Sequence, residues 1–456
     1  MFFPDVVVVL PGICGSVLVK DGEEVWGTSS TAIWHAVSSG GDSIKALALT
    51  APDDPTLDDL GDGVTAIRLI QDLHIIPGLW KIDGYSGMIA RLQSALGLEI
   101  GKNLFEFSYD WRRDNRASAR RLRRLGRQWL NDWRQDSGNN QAKLIFVAHS
   151  MGGLVARYFL EVLGGWKDAR ALISFGTPYR GSLNALGYLA NGFAKGVGPL
   201  SIDLSSTLRS FTAVYQLLPA FACLDSGSGE LKRVGEVQGL PGVDAARAAQ
   251  ALAFYREMGK AEEDNARLEE YSTSRYEIFP IVGIDQPTFQ SATFASGRVT
   301  LLQTIGGRDI SGDGTVPRVS ATPFELSQSN REIYVAEAHA SLQNFDAALV
   351  NLIGILTGTQ MDLSAFRFAA GTLSLDVDDV YASDSVTIRA KPSERVPVVA
   401  RFALTTIGKV VKELPLGPSG DRNVATTRLT PGPYRIAVSA QFGGSTVSVT
   451  DIFLVV

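Results

Sequence analysis

Short runs of apolar, mostly β-branched residues recur along the first three quarters of this chain, and stretches with a helical repeat fill the gaps between them. Val6 to Leu10, Leu144 to Ala148, Ala171 to Gly176, Ile278 to Gly283 and Ile333 to Ala336 lack the polar alternation of a strand with one wet face. They predict strands buried on both sides. From Ser118 to Arg134, Leu122, Leu125, Trp129 and Trp133 recur at three- and four-residue spacing, which aligns them on one helix face. Strand and helix in alternation predict a mostly parallel sheet with helices on both faces.

Two regions break this pattern. Between about Ser182 and Arg275 the strand signal disappears, which predicts an insertion, about 183–275, covering the sheet like a cap. From about residue 365 the period becomes two, as in Val386 to Ala390 and Ile436 to Val438, with Pro/Gly turns and no helical repeat. That predicts an all-β sandwich, and a division of the chain into 1–362 and 363–456. The run Leu429-Thr430-Pro431-Gly432-Pro433-Tyr434 resembles the turn and tyrosine of immunoglobulin- or fibronectin-like modules, without their cysteine pair.

Composition narrows the classes. With 456 residues, 45% hydrophobic, 20% charged and a net charge of −5, the chain is an ordinary globular protein without the basic balance of a nucleic-acid binder. Two cysteines, Cys14 and Cys223, make no disulfide framework, and no Cys/His spacing suggests a metal site. The apolar run at Val6 is too short for a signal-peptide core or a membrane span, so the expected compartment is the cytoplasm, with contact at a membrane surface. Arg112, Arg113, Arg116, Arg120, Arg121, Arg123, Arg124, Arg127 and Arg134 crowd the long helix and its approach. They read either as attraction to anionic lipid or, the favoured expectation, as a solvated outer face. The acidic stretch Asp53, Asp54, Asp58, Asp59 and Asp62 fits no calcium-loop spacing and is expected to be a solvated loop.

Acyl transfer at neutral pH needs a nucleophile on a strained turn, a base to take its proton, and donors for the oxyanion. Ala148-His149-Ser150-Met151-Gly152 has the small-x-Ser-x-Gly spacing of a strand-to-helix nucleophile elbow. The spacing alone is weak, at on the order of 0.3 chance matches in a chain this long. Ala36-Val37-Ser38-Ser39-Gly40 satisfies it too, but no strand precedes Ser38 and no helix follows it. Ser150 has both. Of four histidines only His339 follows Ser150, which makes it the expected base in a fold whose chain order is Ser, acid, His. Three carboxylates between them qualify as the acid: Asp285, Asp309 and Asp313. Asp313 is preferred because Gly312 and Gly314 flank it in a tight turn. The expected oxyanion donors are the backbone N–H of Met151 and that of Ile13, with Cys14 the alternative to Ile13. In the uncharged segment of the insertion, Phe211, Tyr215, Leu217 and Leu218 are candidate substrate contacts, either lining an acyl-chain tunnel or touching a bilayer, or else the insertion's own core.

Taken in order, Leu10-Pro11-Gly12 with Gly15, Ile76-Pro77-Gly78, Tyr109-Asp110-Trp111-Arg112, the Ser150 elbow, Gly176-Thr177-Pro178 with Gly181-Ser182, Leu217-Leu218-Pro219, Gly312 to Val316 and His339 resemble the lecithin:cholesterol acyltransferase family. The resemblance runs from about residue 5 to 350. It implies an α/β-hydrolase fold, Ser150, Asp313 and His339 as the triad, and acyl lipid, most simply phospholipid, as substrate. The secreted members' cap disulfides have no counterpart here. The expectation is therefore a serine-dependent phospholipid hydrolase or acyltransferase needing no cofactor and no metal. Its partner is a lipid surface, with protein or membrane contact through the C-terminal sandwich and no nucleic acid. The rival expectations are a carboxylesterase or neutral-lipid lipase, and a catalytically silent binding protein.

Overall fold

A computed structural model of the chain describes residues 3–27, 42–71, 74–76, 80–195, 202–326, 332–358, 372–380, 383–405, 409–442 and 445–455. His35, the Ser38 pattern and the expected division at 362/363 lie outside the described residues. At the centre is a six-stranded, wholly parallel sheet. Its strands are β1 (Val6–Leu10), β2 (Leu104–Glu106), β3 (Leu144–His149), β4 (Ala169–Phe175), β5 (Glu277–Gly283) and β6 (Ile333–Val335). They are ordered β6-β5-β4-β3-β1-β2. The continuous apolar runs of β1 and β3 belong to this central position: every residue of both strands is buried. The short edge strand β2 carries too little apolar pattern to be foreseen.

Between β2 and β3 runs α1 (Asn115–Ser137), capped at its start by Asp114, whose carboxylate accepts the Arg116 N–H at 2.8 Å, and closed by left-handed Gly138. Leu122 and Trp133 of the expected apolar face are buried, together with Gly126 and Leu130, whereas Leu125 and Trp129 lie at its margin. Trp129 stacks on Phe105 with ring centroids 4.4 Å apart. The two expected solvated surfaces are only partly so: Arg123, Arg124, Asp54, Asp58 and Asp59 are exposed, whereas Arg112, Arg113 and the Asp53 carboxylate are buried. The two regions bind each other: Arg112 pairs with Asp62 and Asp110, Arg113 with Asp53, and Arg124 with Asp58, while Arg120 donates to the Pro55 carbonyl. The Arg112 side chain is wholly buried, and the adjacent carboxylates compensate a charge that could not be buried alone.

The expected insertion lies between neighbouring strands β4 and β5, and only part of it covers the sheet's carboxyl edge. The α3 helix (Leu183–Asn191) and short α4 helix (Thr212–Gln216) stand there. By contrast α5 (Ala245–Asn265) packs on the flank, where Glu257 takes a 2.9 Å bond from Arg116 and a 2.8 Å bond from the Tyr158 hydroxyl. After β6 comes α6 (Asp346–Thr357).

The C-terminal unit has its own hydrophobic core and seven antiparallel strands: β7 (Leu373–Val377), β8 (Val386–Pro392), β9 (Val398–Leu404), β10 (Lys409–Ser419), β11 (Arg422–Thr427), β12 (Gly432–Phe442) and β13 (Ser445–Val455). Strand β10 crosses between two sheets, pairing with β9 up to Leu416 and with β11 from Gly417. The result is the expected sandwich, nearly closed, because Val380, three residues beyond β7, bridges to Val455 of β13. Alternation is strict on β12, where Tyr434, Ile436, Val438, Ala440 and Phe442 point inward. The Tyr434 hydroxyl donates to the Thr430 carbonyl at 2.9 Å, the backward tie of a tyrosine corner. Among the described residues no helix is long and apolar enough to cross a membrane.

Candidate active site

Strand β3 ends at His149, and the chain turns into α2 (Gly152–Glu161) through Ser150, whose φ of 52° lies in the left-handed region. A non-glycine residue held there costs about 1–2 kcal/mol, so the surroundings must impose the turn. They do so from the sheet: the Ser150 N–H donates to the Phe175 carbonyl of β4 at 2.8 Å. Gly152 is required because a Cβ there would come within 2.5 Å of the Pro11 carbonyl oxygen. The elbow thus presents Ser150 Oγ at the carboxyl edge of the central strands.

Asp313 and His339 arrive from the far half of the sheet. The Asp313 side chain is buried; Oδ1 accepts the N–H groups of Thr315 (2.9 Å) and Val316 (2.7 Å), and Oδ2 faces His339 Nδ1 at 2.7 Å. His339 Nε2 lies 2.9 Å from Ser150 Oγ. A carboxylate already taking two backbone donors acts as acceptor, so Nδ1 carries the proton and Nε2 faces the serine hydroxyl with its lone pair. The base's main chain is tied to the acid's, His339 N–H to the Asp313 carbonyl at 2.8 Å. The other two carboxylates serve turns: Asp309 accepts from Gln290 Nε2 and the Ser311 N–H, and Asp285 sits at φ 63° with its N–H on Ser311 Oγ.

A chain of buried hydrogen bonds runs behind the three groups. Gly12 N–H donates to the Tyr85 hydroxyl at 2.8 Å, Tyr85 Oη lies 2.9 Å from His149 Nδ1, and His149 Nε2 lies 3.2 Å from the His339 carbonyl. Only one set of roles satisfies every partner: Tyr85 donates to Nδ1, and His149 donates from Nε2. Burial, with the neighbouring His339 adding to it, pushes the His149 pKa down to about 3, which keeps the imidazole neutral. Neither Tyr85 nor this role of His149 was foreseen. A histidine beside the nucleophile was the only signal, and the partner that gives it meaning is 64 residues away.

Above Ser150 opens a cavity of about 320 Å³. Ile13 lines it, as do Leu217, Val214 and Tyr188 from the insertion. Of the four expected substrate contacts only Leu217 reaches it, which corrects the expectation for the rest. Phe211 instead packs edge-on against Trp111; Tyr215 lies under the Arg247 guanidinium and accepts the Asp244 N–H; Leu218 is buried with its carbonyl against Gly181. The uncharged segment is therefore mostly core: Phe211 fills the junction with the Tyr109–Arg112 turn, and Tyr215 packs toward the start of α5. Met151 is buried immediately before α2 and does not line the cavity. Cys14 is wholly buried, and desolvation holds its thiol well above the ordinary range, so no thiolate is available there. The Tyr109–Arg112 motif supports the loop after β1: the Tyr109 hydroxyl donates to the Pro11 carbonyl at 2.8 Å and Trp111 Nε1 to the Ser16 carbonyl at 3.0 Å.

Residues 62–235 match the family model described as lecithin:cholesterol acyltransferase. A curated relative, the lysosomal phospholipase A and acyltransferase of Bos taurus, is 32% identical over 147 residues, 31% of this chain and 35% of that protein. The protein of the same description from Homo sapiens is 33% identical over 129 residues, 27% of this chain and 30% of its own length. The chain thus spans about a third of the length of these curated relatives. Among solved structures, the Tle4-Tli4 complex superposes with a TM-score of 0.51 at 15% identity, over 79% of this chain and 99% of that one, a likeness of fold. Residues 62–235, which hold the Tyr109–Arg112 motif, the Ser150 elbow and the Gly176–Ser182 turn, are thus similar to the lecithin:cholesterol acyltransferase family.

Proposed function

We propose that the protein is a serine-dependent lipid ester hydrolase or acyltransferase that takes the acyl group of a phospholipid onto Ser150. The observation that carries this reading is the unbroken line from Asp313 Oδ2 through the His339 ring to Ser150 Oγ, at 2.7 and 2.9 Å, opening on the cavity at the elbow. His339 Nε2 takes the hydroxyl proton as Oγ attacks the ester carbonyl, and Asp313 stabilises the imidazolium that forms. The Met151 N–H, at the positive end of α2, and the Ile13 N–H receive the oxyanion. The same proton then goes to the departing alcohol. Water or a lipid alcohol, deprotonated by His339, releases the acyl group, and the acceptor that reaches the acyl-enzyme decides between hydrolysis and transfer.

The lipid class rests on the match to acyltransferases and on the curated relatives' description. The chain is read as a hydrolase domain, 1–362, with a cap within 183–275, followed by a β domain, 363–456. We place its work at a lipid surface in the cytoplasm, where the buried thiols Cys14 and Cys223 stay reduced.

The test is product analysis on phospholipid vesicles with and without an added long-chain alcohol, comparing the native protein with Ser150→Ala. Native protein is expected to release fatty acid and form alkyl ester, and Ser150→Ala to lose roughly a million-fold in kcat together with fluorophosphonate labelling. Unchanged release by Ser150→Ala would overturn the mechanism. Short soluble esters turned over as fast as vesicles would replace the lipid assignment with a carboxylesterase.

A further inference from the structure

The loops that carry the acid and the base do not end within the α/β core. Each places a buried side chain against an open edge of the C-terminal sandwich. On the acid side, Gln286 is bridged to Asp313, and its own N–H donates to the Gly312 carbonyl at 2.9 Å. Its side-chain oxygen faces the Leu375 N–H at 3.3 Å, from the edge of β7 that pairs with no other strand among the described residues. On the base side, Glu337 stands two residues before His339. Its Oε1 accepts the Ala338 N–H at 2.8 Å and, at 3.1 Å, the Thr450 N–H from the free edge of β13. One residue beyond His339, Ala340 packs with Ile452 and Leu454 of the same strand. The Ala340 carbonyl takes the N–H of Asp83, which is paired with Arg435 of β12.

An edge strand normally leaves its outward N–H groups to water or hides them. Here the two edges that almost close the sandwich direct those groups at the acid loop and the base loop. The same edges also form part of the cavity wall, through Leu375, Val377 and Asp451.

We propose that the C-terminal sandwich is a working part of the active site, in which β7 and β13 hold Asp313 and His339 in register with Ser150 through the positioning residues Gln286 and Glu337. This rests on the acyl-enzyme reading above and assigns the sandwich a role at the same site, not that of a tethered binding module. Misplacement of a catalytic group by about 1 Å is enough to lose roughly a hundred-fold in rate. Burial pushes the Glu337 pKa up to about 8, against the lowering effect of its two backbone donors, with Asp451 and the Arg435-paired Asp83 adding to the rise. At neutral pH Glu337 is therefore a neutral acid that glutamine imitates. Because the folded-state value lies above the ordinary 4.5, the stabilisation is complete below 4.5 and is lost as pH rises through about 8.

The experiment uses the full chain, a soluble p-nitrophenyl ester and the rate of fluorophosphonate labelling of Ser150, so that surface binding plays no part. Two variants break the contact from opposite sides: Glu337→Leu removes the acceptor, and Thr450→Pro removes the donor on an edge strand where proline costs no ladder bond. Each is expected to lower kcat and the labelling rate about a hundred-fold with KM within about twofold, in protein that still melts cooperatively. Glu337→Gln is expected to keep kcat within about threefold and to lose a decline in activity centred near pH 8. Should Glu337→Leu not fold, Thr450→Pro alone decides. Native kcat in a folded Glu337→Leu or Thr450→Pro protein would overturn the proposal. So would a Glu337→Gln protein that keeps the alkaline decline. A native protein that takes no label would overturn the acyl-enzyme reading itself, a result separate from these.

Discussion

The nucleophile and its two partners are held in different ways. Ser150 sits on a turn held close to the parallel sheet, by the Phe175 carbonyl of β4, by the loop that leaves β1 against Gly152, and by the start of α2. Asp313 and His339 sit on long irregular loops tied to distant parts of the chain: His149 reaches the His339 carbonyl, Gln286 and Glu337 reach the sandwich edges, and Asn344 Nδ2 donates to the Asp83 carbonyl at 2.8 Å. The position of the serine is thus a property of the sheet, and the positions of acid and base are properties of an assembly. Damage near the serine should be local. Damage around its partners should be graded and should arrive from far away.

The largest effect that sharpens this contrast is expected at the acid. Asp313→Asn keeps the shape but offers His339 Nδ1 a donor or a weaker acceptor, so the ring loses the tautomer that leaves Nε2 free for Ser150. A loss of about ten-thousand-fold in kcat is expected, with KM little changed. Steady-state kinetics on a soluble ester reads this directly, and a loss below about ten-fold would mean that the carboxylate only shapes the loop.

A smaller effect, about a hundred-fold in kcat, is expected from His149→Leu, which leaves the Tyr85 hydroxyl and the His339 carbonyl without their partner. His149→Gln, with one oxygen to accept and one amide to donate, should restore most of the rate. Since the folded-state pKa of His149 is lowered to about 3, the imidazole is neutral wherever the enzyme is folded and active. The acid limb of the pH–rate profile should therefore be the same in native protein and in His149→Gln. The stability contribution has the opposite sense to that of Glu337: it is present above 6.5 and is lost as pH falls from 6.5 toward about 3, because only the unfolded chain takes up the proton there. Thermal melting of both proteins between pH 7 and pH 4 checks it. A native Tm that falls no faster than that of His149→Gln would remove this role.

The contrast also explains what was legible in the sequence. Strands β1, β3, β4, β5 and β6 were marked by runs that must be buried on both faces, and the elbow by a local strand-turn-helix signature, so everything that holds Ser150 lies within a few residues of a visible pattern. His339 was found by elimination rather than by any mark on its loop. The arginines and the acidic stretch were both visible, but their pairing was not, because Arg113 meets Asp53 across 60 positions in the chain. For Phe211 and Tyr215 the pattern leaves substrate contact and insertion core both open, because an uncharged aromatic segment looks alike whether it lines a cavity or packs beneath one. The docking of the sandwich edges was illegible for a further reason: its donors are main-chain N–H groups, which every sequence has.

The smallest effect is a comparison of two lesions of similar thermodynamic size. Asp114→Ala removes the cap of α1, the helix that packs on α2 behind the elbow, and should cost about 1 kcal/mol of stability. Arg435→Lys keeps a positive charge against the buried Asp83 carboxylate but loses the two-pronged guanidinium contact, and from its half-exposed position should also cost about 1 kcal/mol. If the sheet alone fixes Ser150, the first substitution lowers Tm and leaves kcat unchanged, because the turn is restrained by β4 and the β1 loop rather than by the outer helix. The second should lower kcat about threefold at the same loss of Tm, because Asp83 donates its N–H to the Ala340 carbonyl, one residue from the base. Equal rate losses from the two would mean that activity follows global stability, and the distinction between a sheet-held nucleophile and assembly-held partners would not survive.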